Sequence, residues 1–166
     1  MTYTPEQLSD IECIRDVAKR YSRGLDRLDE NLMKSAYWPE ATDDHGVFAG
    51  NAMEFVEMCM EAHLGWRSTS HCIYNHYITL DSDGTRARGE AYNVTYLFQK
   101  DDDVLDTWYG RYLDVYEKRD EQWRIIERVC VHEGTTTESV KKMDIEAARF
   151  RQGNFDRPSS SRAVGP

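Results

Sequence analysis

Arg67-Ser-Thr-Ser-His71-Cys-Ile-Tyr-Asn-His76-Tyr-Ile-Thr-Leu-Asp81 is where this chain changes character. Before it, apolar residues recur every three or four positions, the spacing of helices with one buried stripe. From Ser68 onward they alternate, as in strands with one face turned inward. Four β segments are expected at roughly 69–80, 86–99, 105–118 and 122–133. Asp81-Ser-Asp-Gly84, Lys100-Asp-Asp-Asp103 and Arg119-Asp-Glu-Gln122 supply the turns between them. Alternation is plainest in Tyr92/Val94/Tyr96/Phe98 and Tyr109/Arg111/Leu113/Val115. Long strands joined by short turns make a strongly bent antiparallel sheet. With helices first and the meander after, the fold class is α+β, the helices covering the concave face.

Upstream of that stretch, Thr4 is placed to cap a first helix with Pro5 at its first position. Leu8, Ile11, Ile14, Ala18, Tyr21 and Leu25 form its stripe, and Gly24 loosens its end. Asp29 caps a short second helix that stops before Pro39. Pro39 to Gly50 reads as two short extended pieces around a turn. Asn51, with Glu54 three residues on, opens a third helix whose inner face is Met53, Val56, Cys59, Met60 and Leu64. Downstream, 138–151 reads as a helix, and the apolar-poor end from Pro158 as mobile unless docked on a neighbour. The boundaries are therefore one domain over 1–135 and a C-terminal extension over 136–166.

Composition narrows the partners. A net charge of −9 and the absence of any Lys/Arg stripe argue against nucleic acid. No apolar run approaches the ~18 residues of a membrane helix, and the first residues lack the basic and apolar parts of a signal peptide. Cys13, Cys59, Cys72 and Cys130 form no CxxC pair and read as reduced core thiols of a cytoplasmic protein. No glycine-rich nucleotide loop occurs, and the histidines lack the third ligand of a catalytic metal site, so neither cofactor nor metal is expected. Ten Tyr, four Trp and five Phe are enough to line an apolar cavity as well as fill a core.

The chemistry-bearing candidates start with His71. With Asp29 taken as the second helix's cap, Asp26 is left without an obvious structural task. An alternative cap or a solvated loop acid would account for it equally well, but a carboxylate able to reach His71 would make an acid–base pair. Tyr21, five residues earlier, would sit near the same mouth of the first helix, as a phenol donor or as a core residue. His71 and His76 are five apart, which puts them on opposite faces unless a bulge intervenes. His45, beside Asp43 and Asp44, reads first as a solvated turn histidine, with pocket contact as the alternative. Arg128 shares strand parity with Arg124, Ile126 and Cys130; if buried it needs an anion or several acceptors, and Asp26 or a substrate oxygen are the groups it would orient.

Ile14-Arg-Asp-Val-Ala-Lys-Arg-Tyr21-Ser-Arg-Gly-Leu-Asp26, then Pro39-Glu-Ala41, then Ser70-His71, resemble the SnoaL-like branch of the NTF2-like superfamily. Gly110-Arg-Tyr-Leu-Asp-Val-Tyr-Glu-Lys-Arg-Asp-Glu-Gln-Trp123-Arg-Ile is similar to that branch's final hairpin. The likeness spans about residues 8–135. It implies a cone-shaped barrel in which three helices and a curved antiparallel sheet enclose one pocket. Relatives include dehydratases, a hexachlorocyclohexane dehydrochlorinase, polyketide cyclases and aromatic γ-formaldehyde lyases, and others only bind ligands.

By position, the resemblance makes Asp26 and His71 a catalytic dyad, Tyr21 its phenolic partner and Arg128 a lining residue of the substrate pocket; His45 and Asp43 join Arg128 as substrate-binding candidates. Asp43 stands where the dehydrochlorinase has tryptophan, which argues against dehalogenation. The function implied is a cofactor-independent lyase of aromatic-compound catabolism, eliminating water or formaldehyde from a hydrophobic, aromatic small molecule. The alternatives are a non-catalytic binding or assembly module and a polyketide-cyclase-like isomerase. A homo-oligomer, by resemblance a homotrimer, is expected, with an outer sheet face carrying Trp108, Tyr112 and Tyr116 between subunits.

Overall fold

The computed structural model describes residues 2–100, 103–141, 143–146 and 149–150. Helix α1 (Pro5–Asp26) starts at the expected cap, and Thr4 and Gln7 close a reciprocal capping box there. Its stripe of Ile11, Ile14, Val17, Ala18, Tyr21 and Leu25 is buried, whereas Leu8 lies outside it, half exposed. Each large apolar side chain so removed from water contributes about 1.5–3 kcal/mol. Gly24 does not loosen the helix. A Cβ there would meet the Met33 backbone nitrogen at 2.5 Å, so the glycine lets α2 (Glu30–Lys34) pack directly on α1.

Asp29 caps α2 through the Leu32 amide, as expected. Strands β1 (Tyr37–Asp44) and β2 (Ala49–Asn51) flank a tight turn, and Asn51 then caps α3 (Ala52–Ala62). The inner face of α3 is Ala52, Phe55, Val56, Cys59 and Met60, while Leu64 lies exposed in a 3-10 turn over His63–Gly65. The long strands follow: β3 (Trp66–Leu80), β4 (Arg86–Gln99), β5 (Val104–Arg119) and β6 (Gln122–Ser139).

They form one six-stranded sheet in the order β2-β1-β6-β5-β4-β3. The α+β arrangement, three helices ahead of a long-stranded meander, is as the sequence implies. The sheet is mixed rather than wholly antiparallel, because β1 runs parallel to β6. It is also open rather than a closed barrel, with β2 and β3 as its edges. Residues 138–139 continue β6 instead of starting a helix, since Leu105 and Val104 extend the ladder to Glu138 and Ser139. The rest of the expected tail from residue 151 lies outside the described residues.

Irregularities in two strands decide which side chains face the helices. A register shift in β3 between Ile73 and His76 changes the parity, so His71 and His76 both point inward. A second shift, opposite Val115/Tyr116, leaves Ile126 as an extra residue of β6. Trp123 and Ile125 before it and Arg128 after it are consequently all buried, and Arg128 does not share a face with Arg124. Arg124 instead lies over the Trp38 ring, 4.7 Å from its centroid. Tyr112 and Tyr116 are likewise buried on the helix side rather than on the outer face assigned to them. The outer face carries Tyr77, Tyr92, Tyr109 and Leu113, all exposed.

Candidate active site

The inner face of the sheet and the open ends of α1 and α3 bound a cavity of about 380 Å³. Its walls are mostly apolar and aromatic, with Phe55, Trp66, Trp108 and Tyr112 among them. Trp108 reaches the space because Gly110 leaves room: a Cβ there would lie 2.0 Å from the indole. Four histidines, His45, His63, His71 and His132, open on this cavity.

Asp26 is the last residue of α1 and points at β3. Its Oδ1 accepts from His71 Nδ1 at 2.7 Å and from the Thr69 hydroxyl at 2.8 Å, and its Oδ2 accepts from the His71 amide at 2.9 Å. Burial on its own would raise the carboxyl pKa. The hydrogen bond from His71 and the charge that ring carries when protonated, with the His71 amide and Thr69, outweigh that and hold it below the usual value. Because Asp26 only accepts, His71 carries its proton on Nδ1, leaving Nε2 with a lone pair.

His63 follows α3 and lies 5.8 Å from His71, ring centroid to centroid. Its Nδ1 donates to the Cys59 carbonyl at 2.9 Å, so its Nε2 is also unprotonated. Burial first, then the nearby His71, lower its pKa to about 4, so His63 is neutral at ordinary pH. A neutral imidazole beside the dyad adds polarity without a competing charge. Sequence spacing gave no sign of this residue, because the turn that swings it toward β3 follows the helix.

Tyr21 lines the cavity beside the dyad's helix end, and burial pushes its phenol well above the ordinary range, so it keeps its proton. Behind it lies Arg128, fully buried, whose Nε and Nη2 each donate to Asp114 at 2.7 Å. Its guanidinium sits 4.3 Å from the Tyr21 ring centroid and 4.1 Å from that of Tyr112. Burial opposes the charge of Arg128, but Asp114 and its other neighbours more than restore it. The expected anion partner is therefore Asp114, not Asp26 or a substrate oxygen. Arg128 supports the tyrosine wall from behind and is not among the cavity's lining residues.

His45 is not a solvated turn residue. Its ring stacks on Phe55 at 4.2 Å, and its Nδ1 hydrogen-bonds Asp43 Oδ1. Asp43 is buried and takes a further bond from the Tyr37 hydroxyl at 2.6 Å. His76, although inward-facing, sits against Tyr116 at 3.3 Å, outside this cavity. No cluster of three or more metal-ligating side chains occurs among the described residues.

A small α+β domain whose sheet and helices border an apolar cavity, with a carboxylate-backed histidine in its wall, defines a class of ligand-pocket proteins. Within that class the chain belongs to the SnoaL-like domain family, whose pattern it matches over residues 6–129. Solved structures share the fold. One from Novosphingobium aromaticivorans DSM 12444, provisionally described as a scytalone dehydratase, is 20% identical with a TM-score of 0.72, covering 81% of this chain and 91% of its own. The hexachlorocyclohexane dehydrochlorinase LinA-type3 from Novosphingobium barchaimii LL02 is 16% identical with a TM-score of 0.72, covering 82% of this chain and 94% of its own. No curated protein matches the chain. No helix among the described residues is long and apolar enough to cross a membrane.

Proposed function

We propose that this protein is a cofactor-independent lyase that eliminates water or formaldehyde from a hydrophobic, aromatic small molecule. The observation that carries the reading is the Asp26–His71 hydrogen bond of 2.7 Å in the wall of an apolar cavity, which fixes the tautomer with Nε2 free. Proton abstraction by Nε2 makes an imidazolium that Asp26 stabilises at once, without solvent reorganisation. Tyr21, a protonated phenol in the same wall, donates to the oxygen on which charge develops. If the substrate is a phenol with a benzylic leaving group, its ring holds that charge as a quinone methide. The dehydratase and dehydrochlorinase descriptions of the structural neighbours are consistent with elimination chemistry, and the aromatic lining with a flat substrate.

The test is turnover of a panel of phenolic compounds bearing benzylic hydroxyl or hydroxymethyl groups, followed by mass loss of water or formaldehyde. Wild type should turn over at least one of them, before and after dialysis against EDTA, and His71→Ala should not. Tight binding without turnover by the wild type would make the chain a ligand-binding module instead. The assembly reading is a cytoplasmic homotrimer, supported by the exposed Tyr77, Tyr92 and Tyr109 on the outer sheet face.

A further inference from the structure

The cavity holds a second carboxylate–histidine pair that the resemblance does not assign as catalytic. His45 leaves the end of β1 in a turn held at both sides. Its amide donates to the Phe48 carbonyl at 2.8 Å, its carbonyl accepts from Val47 at 2.8 Å, and Gly46 adopts the left-handed φ of 73° that the turn needs. The ring is thereby fixed in the cavity wall between Phe55 and Tyr112, with 16% of the side chain exposed.

Behind it the two Asp43 oxygens are both occupied, Oδ1 by His45 Nδ1 and Oδ2 by the Tyr37 hydroxyl. Arg128 Nη1 in turn approaches that hydroxyl at 3.4 Å. The other groups around the pair are Cys59 of α3, Tyr112 of β5 and Cys130 of β6, all of which line the cavity. Asp43 is thus backed by donors as Asp26 is, and each leaves one imidazole Nε2 available to the same space.

We propose that His45, oriented by Asp43, is the general acid of the elimination, working opposite His71 on substrates whose leaving group is a hydroxyl. This rests on the lyase reading above and narrows it to dehydration. His71 Nε2 takes the proton from carbon, and the C–H electron pair becomes the new carbon–carbon double bond. The C–O pair leaves with oxygen, which takes a proton from His45 Nε2–H, so water departs. His45 ends neutral and His71 ends as imidazolium, and transfer of one proton through solvent restores both. A halide leaves as a stable anion and needs no such donor. The second pair therefore has a use only where the departing atom is oxygen.

Two probe substrates test this: 4-hydroxy-4-phenylbutan-2-one and 4-chloro-4-phenylbutan-2-one, which give the same unsaturated ketone. His45→Gln and Asp43→Asn should lower turnover of the hydroxy compound about 10²–10⁴-fold more than turnover of the chloro compound. His71→Gln should lose both. Equal losses on both compounds in the His45 and Asp43 variants would reduce the pair to a structural support and overturn the proposal.

If wild type turns over neither compound, the lyase reading fails for this substrate class, and His45 is judged by a separate measurement. Carbon-13 resonances of the histidine rings are followed at one fixed pH in wild type and Asp43→Asn, with and without 4-nitrophenol as the probe ligand. The His45 ring resonances should shift on probe binding, and Asp43→Asn should abolish that shift while leaving the one at His71. A His45 ring that ignores millimolar 4-nitrophenol would overturn the proposal regardless of the kinetics.

Discussion

Replacing Asp26 by asparagine isolates the dyad's chemistry from its packing. The carboxylate accepts three hydrogen bonds, two at Oδ1 and one at Oδ2. An amide of the same shape offers only one accepting oxygen. If that oxygen faces Thr69 and the His71 ring, the NH2 is driven against the His71 amide, donor against donor. If it faces the amide, the NH2 meets His71 Nδ1 and forces the proton onto Nε2, which abolishes the base. The second arrangement keeps more bonds and should prevail. The stability cost is about 1–3 kcal/mol for a lost charge-assisted bond, or roughly 2–12 °C in melting temperature for a chain of this size. Turnover should fall about 10²–10⁴-fold. Because the Asp26 pKa is depressed in the folded protein, its stabilisation is present above the unfolded value and is lost as pH falls through the folded one. The stability gap between wild type and Asp26→Asn should therefore close in acid. Thermal unfolding by circular dichroism across pH, paired with turnover at neutral pH, measures both effects. Near-wild-type turnover in a folded variant would refute the dyad.

Gly24→Ala should cost about 1–3 kcal/mol, as for overpacking, because the new methyl meets Met33 backbone rather than a movable side chain. Chemical denaturation reads it directly, and an unchanged midpoint would contradict the contact. His63 has a folded pKa near 4 against an ordinary 6.5, so it withdraws stability as pH falls through that interval. His63→Gln should flatten the acid limb there in a melting series. Burial pushes the thiols of Cys59 and Cys130 up to about 12, whereas Cys13 is exposed. Brief iodoacetamide treatment at pH 7.5 followed by mass spectrometry should label Cys13 and spare those two. Light scattering should give a mass near three times the 19.4 kDa chain, and a monomer at micromolar concentration would dismiss the assembly proposal.

Much of the frame was legible because it is written in short-range chemistry. Thr4, Asp29 and Asn51 cap the helices they were assigned, and the turn residues after Leu80, Gln99 and Arg119 separate the strands as expected. The pairing of Asp26 with His71 spans 45 residues and was reachable only through the resemblance, since spacing alone left Asp26 with two other uses. What could not be read depends on single extra residues and on distant partners. The irregularity after Ile73 reverses the parity of the rest of β3, and the one at Ile126 moves Arg128 onto the inner face, away from Arg124. No alternation pattern announces either. Likewise, nothing local to Asp43 and His45 shows that Tyr37 and Phe55 will close around them. Such contacts exist only once β1 has found β6.

The strand order carries one more consequence. His45 follows β1 and His71 lies on β3, so β6, β5 and β4 intervene, four strand spacings in all. At ~4.8 Å each, a flat sheet would set the two strands ~19 Å apart. Rings that far apart share one cavity because the sheet curls, and the curl sets the gauge between them. Substitutions at the remote shifts in β3 and β6 would widen or narrow that gauge like the jaws of a calliper. Variants that touch neither imidazole could then re-tune which molecules fit between the two.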